Sequence, residues 1–112
     1  MAFIGDAVHT LFVRENLLQE NLTINSLNKK CNKFCSARHQ AKVVDLIVDT
    51  LDETELQIFK RGRNLDSKTR AKNATCEEYR KATAFETLVG FLYLENKTER
   101  LNYVLNISLG EI

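Results

Sequence analysis

Apolar residues recur along this chain at spacings of three and four, and nowhere do they alternate with polar ones, so the periodicity predicts helices and no strands. Ile4, Val8, Leu11 and Phe12 predict a first helix over 3–18, which fades in the polar Gln19-Glu20-Asn21. Ser26 is placed to cap a short second helix with the stripe Leu27, Cys31 and Phe34, and Ser36 to cap a longer third one carrying Ala37, Ala41, Val44, Val48 and Leu51. Asp52 with Glu55 three residues on has the form of a capping box, in which each side chain receives the other residue's backbone N–H. It opens a helix over 56–60 that ends near Gly62. Thr75 and Glu78 repeat the box at the head of the longest helix, 76–96, whose core face is Tyr79, Ala82, Phe85, Val89 and Leu92. Leu101, Val104 and Leu105 mark a last helix over 98–108. With no internal repeat and no linker, the expected fold is all-α, a single compact helical domain of about six helices.

Composition narrows the class. A chain of 112 residues, 44% of them hydrophobic, supports one core that buries roughly 65% of the unfolded surface. The longest apolar run, 82–94, is shorter than the roughly 20 residues a membrane span needs, and no signal-peptide pattern opens the chain. Three cysteines, Cys31, Cys35 and Cys76, cannot all pair, which suits a reducing, cytoplasmic setting. Cys31 and Cys35 lie one helical turn apart with no histidine pair nearby, so they read as small buried hydrophobes rather than zinc ligands.

Two carboxylates stand out against this background. Glu86 is the only formal charge in the apolar run 82–94, and Asp6 is the only one in 1–13; each helix also carries an interior glycine, Gly90 and Gly5. Glycine inside a helix costs about 1 kcal/mol relative to alanine, so the pair points to close helix approach. Two carboxylates brought together repel unless a cation lies between them. A hard divalent ion such as Mg²⁺ meets that need, taking one or two carboxylates and keeping several waters. Beside a basic segment, such an ion suits phosphodiester hydrolysis, because it acidifies a water and offsets charge on the phosphate. The net charge is only +1, yet between residues 60 and 72 Lys60, Arg61, Arg63, Lys68, Arg70 and Lys72 face one acid, Asp66, in what reads as an exposed loop. Taken singly, each feature has a plainer reading: Asp6 as a helix N-cap, Glu86 as the partner of a buried base, the basic segment as a solvated loop.

The motifs together resemble the ribonuclease III endonuclease domain. Phe3-Ile4-Gly5-Asp6-Ala7-Val8 is similar to its first signature and Thr83-Ala84-Phe85-Glu86-Thr87-Leu88-Val89-Gly90 to its second. Lys60-Arg61-Gly62-Arg63-Asn64, with Ser36-Ala37 and Gln40-Ala41, resembles the short bacterial Mini-ribonuclease III branch, which has no double-stranded-RNA-binding domain. The resemblance spans 1–112 as one catalytic domain that lacks the leading helix of its relatives. It implies a homodimer holding double-stranded RNA, with Asp6 and Glu86 as catalytic, metal-binding carboxylates for Mg²⁺ and no other small-molecule cofactor. It further implies a cut leaving a 5′-phosphate and a 3′-hydroxyl, and precursor 23S ribosomal RNA as substrate. Wider relatives have further acids where this chain has Ala2 and Thr83, so the carboxylate set is thin. Without a separate RNA-binding domain, the contact with the sugar–phosphate backbone falls to Arg61, Arg63, Asn64, Lys68, Arg70 and Lys72. His9, one turn after Asp6, is placed to touch it from behind. Tyr79 and Tyr93 read as core or dimer-interface residues. The competing reading is a catalytically idle RNA-binding or helical interaction module with the same fold.

Overall fold

The computed structural model describes residues 1–64 and 75–110. In chain order they form α1 (Ala2–Leu17), α2 (Ile24–Phe34), α3 (Ala37–Ile47), a 3-10 turn (Val48–Thr50), α4 (Glu53–Arg63), α5 (Cys76–Leu94) and α6 (Thr98–Leu109). No strand occurs among the described residues.

Helix α5 is the axis of the molecule, with α1, α3, α4 and α6 packed around it. Ala84, Phe85, Leu88, Val89 and Leu92 are excluded from solvent there. A helix surrounded by others has little face to give to water, which is why its sequence is apolar nearly all round. Val43, Val44 and Ile47 of α3, Phe59 of α4, and Val104 and Leu105 of α6 complete the main core. A smaller cluster of Val13, Leu17 and Cys31 joins α1 to α2.

Both capping boxes form. The Asp52 carboxylate accepts the Glu55 N–H at 2.8 Å while the Asp52 N–H donates to Glu55 at 3.0 Å. Thr75 and Glu78 make the same exchange at 3.0 and 2.9 Å. Glu55 is also received by Arg100 of α6, whose Nε lies 3.1 and 2.9 Å from its two oxygens, so this buried carboxylate ties α4 to α6. Ser36 caps α3, accepting the His39 N–H at 3.1 Å.

Several expectations are corrected. Thr23, not Ser26, caps α2: Thr23 has extended backbone angles and its hydroxyl accepts the Ser26 N–H, which makes Ser26 a first-turn residue. Helix α3 stops at Ile47 and tightens into the 3-10 turn, so Val48 and Leu51 reach the core from outside the helix. Helix α4 runs through Gly62 to Arg63, and Gly62 serves packing rather than termination. A Cβ on Gly62 would lie 2.7 Å from the Thr87 Cβ and 2.9 Å from the Ala84 Cα. The buried face of α1 is Gly5, His9, Val13 and Leu17, whereas Leu11 of the anticipated stripe is 59% exposed. Of the two cysteines expected to be buried, Cys31 is buried and Cys35 only half-buried. Burial pushes the Cys35 thiol up to about 12, the reverse of what a metal thiolate needs.

A candidate active site where two helices cross

The rotation of α1 is what builds the site. An added Cβ on Gly5 would fall 1.7 Å from the carbonyl oxygen of Glu86 and 2.9 Å from the Gly90 nitrogen. An added Cβ on Gly90 would fall 2.1 Å from the Met1 carbonyl oxygen. Backbone therefore meets backbone at this crossing, and no residue but glycine fits at either position. Asp6, next to Gly5, and Glu86, against it, are brought to one place as a direct result. Asp6 lies inside α1, which disposes of the N-cap reading.

The two carboxyl groups are within hydrogen-bonding reach of each other. Asp6 is exposed and Glu86 half-buried, so the pair opens to solvent on one side. Burial, followed by the hydrogen bond and charge of Asp6, raises Glu86 from its ordinary 4.5 to about 8, while a hydrogen bond from Gln40 works the other way. No ion pair among the described residues involves Asp6 or Glu86, so no described base is the partner of Glu86.

A divalent cation fits this donor set. Two hard oxygen ligands lie against each other, and among the described residues no ammonium or guanidinium pairs with either. Among the described residues there is no group of three or more His, Cys, Asp or Glu side chains that could hold a metal, so the described part of the site consists of these two carboxylates. Thr83, one turn before Glu86, directs its hydroxyl to the Tyr79 carbonyl at 3.0 Å. Tyr79 is half-buried and Tyr93 is 52% exposed.

His9 is neither at the surface nor against Asp6. It is fully buried, with its ring edge-on to Phe85 at 5.0 Å and its nitrogens on Ser108 and Gln40. Burial, helped by nearby His39, lowers it from 6.5 to about 4, Asp6 opposing, so it is neutral at physiological pH. Gln40, 2% exposed, meets both His9 and Glu86. In the sequence it stands out as a polar residue between the apolar Ala37, Ala41 and Val44, in the Gln40-Ala41 pair that carries part of the resemblance.

Of the expected RNA contacts, Arg61, Arg63 and Asn64 are exposed at the end of α4, while Lys68, Arg70 and Lys72 lie outside the described residues. Arg63 and Asn64 line a cleft of about 470 Å³ with Cys76, Glu77, Arg80 and Lys81 at the head of α5. Arg80 and Lys81 were not singled out from the sequence. Lys81 is engaged by Asp45 at 2.7 Å, whereas Arg80 is exposed some six residues, roughly 9 Å of helix axis, before Glu86.

An all-α domain with a two-carboxylate site at a glycine crossing, beside an arginine-lined cleft, has the makings of a phosphodiester hydrolase. Residues 1–97 match the family model described as the Ribonuclease III domain. The chain is 47% identical over 102 residues to Mini-ribonuclease 3 of Brevibacillus brevis, covering 90% of this chain and 76% of that one. It is 43% identical over 112 residues to Mini-ribonuclease 3 of Clostridium tetani, covering 98% and 74%. A crystal structure of a protein from Fusobacterium nucleatum superposes with a TM-score of 0.91 at 36% identity, covering 99% of this chain and 90% of that one. The chain belongs to the ribonuclease III family of endoribonucleases, in its Mini-ribonuclease 3 branch. That family acts on double-stranded RNA, typically dimerises and generally depends on a divalent metal.

Proposed function

We propose that this chain is a Mg²⁺-dependent endoribonuclease acting on double-stranded RNA, with one catalytic domain over residues 1–112 and Asp6 and Glu86 as its metal ligands. The observation that carries the reading is the placement of these two carboxyl groups at the Gly5–Gly90 crossing, with no base among the described residues paired to either. When bound, Mg²⁺ would supply Lewis-acid activation of water and of the scissile phosphate. The chain's own residues do the rest. Asp6 and Glu86 fix the ion's position, and Arg61, Arg63 and Asn64 hold the RNA backbone, joined by Lys68, Arg70 and Lys72. The products are a 5′-phosphate and a 3′-hydroxyl, and the substrate is precursor 23S ribosomal RNA. Three thiols support a cytoplasmic setting. No helix among the described residues is long and apolar enough to cross a membrane.

Phe3, three residues before Asp6, is 88% exposed, and Leu11, Leu18 and Ile24 are also strongly exposed on α1 and α2. An apolar surface of this kind beside a catalytic centre supports a homodimer. Incubation with structured double-stranded RNA in Mg²⁺ and, separately, in EDTA tests the function. Cleavage in Mg²⁺ alone is expected; RNA that is retarded but uncut under both conditions would instead favour the idle binding module.

A further inference from the structure

We infer that the cleft between the end of α4 and the head of α5 holds one phosphate of the RNA backbone, gripped by Arg63 from one wall and Arg80 from the other. The inference rests on the double-stranded-RNA reading above; it adds Arg80 to the contacts and sets this phosphate apart from the one that is cut.

Gly62 sets the two walls. It lies so close to α5 that an added Cβ would stand 2.7 Å from the Thr87 Cβ and 2.9 Å from the Ala84 Cα. Arg80, Ala84 and Thr87 follow one another at i, i+4 and i+7, so they share one face of α5, the face on which α4 packs. Helix α4 ends at Arg63, one residue past Gly62. Its cover therefore runs out before Arg80, which is exposed, whereas Ala84 one turn further on is wholly buried. The space left is the cleft of about 470 Å³ that Arg63, Asn64 and Arg80 line with Cys76, Glu77 and Lys81.

The charges of the cleft divide unequally. Lys81 is engaged by Asp45 at 2.7 Å and by Glu77 at 3.6 Å, which also occupies the one acid of the lining. Neither Arg63 nor Arg80 enters an ion pair among the described residues. Two guanidinium forks on opposite walls suit a phosphate, whose oxygens accept parallel N–H bonds. Position decides which phosphate this is. Arg80 stands six residues before Glu86, roughly 9 Å along the helix axis and about a third of a turn around it. The gripped phosphate is therefore not the one at the carboxylates but one further along the RNA, and the contact acts on binding rather than on the cut.

Binding to duplex RNA in EDTA, where nothing is cut, tests this apart from the metal site. Arg80→Ala should bind roughly 5- to 20-fold more weakly than wild type with an unchanged melting temperature. In Mg²⁺ the same loss should appear in KM, with kcat altered far less. Because both arginines hold one phosphate, Arg63→Ala and Arg80→Ala combined should lower the slope of log affinity against log salt by about 1 rather than about 2. A merely structural Arg80 would shift the melting temperature and leave that slope alone. The assignment is overturned if Arg80→Ala binds duplex RNA like wild type, or if the double variant loses a slope of about 2, which would put the arginines on separate phosphates. It is also overturned if inorganic phosphate shifts the Arg80 side-chain NMR signal while Arg80→Ala keeps its RNA affinity, since the cleft then takes free phosphate. Wild-type protein that binds no duplex RNA would remove the RNA reading itself, and this assignment with it.

Discussion

Glu86 concentrates the chemistry at the residue scale. Its carboxyl group is raised from 4.5 to about 8, so between those values the folded protein holds a proton that the unfolded chain has lost. The stability it contributes is complete below about 4.5 and disappears as pH rises through 8. His9 has the opposite sign: lowered from 6.5 to about 4, its contribution is complete above 6.5 and disappears as pH falls through 4. Between pH 6.5 and 8, of these two, Glu86 acts alone. The urea midpoint of the metal-free protein should therefore fall across that interval, with a slope below the one-proton ceiling of about 1.4 kcal/mol per pH unit. Glu86→Gln or saturating Mg²⁺ should flatten it; a profile already flat in the wild type would contradict the assigned shift. The sequence showed Asp6 and Glu86 as solitary charges in apolar helices, and that signal singled out the two carboxylates that the Gly5–Gly90 crossing brings together. The buried bonds of His9 to Gln40 and Ser108 were not legible, because they join positions 31 and 99 residues apart.

At the scale of elements, the crossing of α1 and α5 decides everything near the site. Gly5→Ala would drive a methyl group into the Glu86 carbonyl, so it should cost about 3 kcal/mol or more and separate the two carboxylates. Gly110→Ala is the control, since its Cβ would meet nothing nearer than the Ile107 carbonyl at 3.6 Å and should change stability by under about 0.5 kcal/mol. Thermal melting of the two variants checks this; equal melting temperatures would mean the helices are not in backbone contact. Helix number, both capping boxes and the Ser36 cap were legible because each depends on residues three or four apart. The buried face of α1 was not. Its closest contact is made by Gly5 and polar His9, which carry no apolar signal, so periodicity selected the neighbouring stripe of Ile4, Val8, Leu11 and Phe12.

At the scale of the whole molecule, the exposed Phe3 and the arginines at the end of α4 bear on assembly and RNA binding. Sedimentation should give twice the 12.9 kDa chain mass, and Phe3→Asp should shift the protein toward monomer and reduce cleavage; an unchanged dimer would place the interface elsewhere. Replacing Arg61 and Arg63 together with alanine should lower the slope of log affinity against log salt by about 1 to 2, with little effect on the rate for bound RNA. An unaltered slope would remove both from the phosphate contacts. The central claim, that Asp6 and Glu86 hold the metal that cuts RNA, is tested most directly by the cleavage rate of Glu86→Gln on saturating double-stranded RNA in Mg²⁺. Cleavage is expected to fall at least about 100-fold while the RNA is still retarded in a gel as by wild type; cutting at the wild-type rate would contradict the claim.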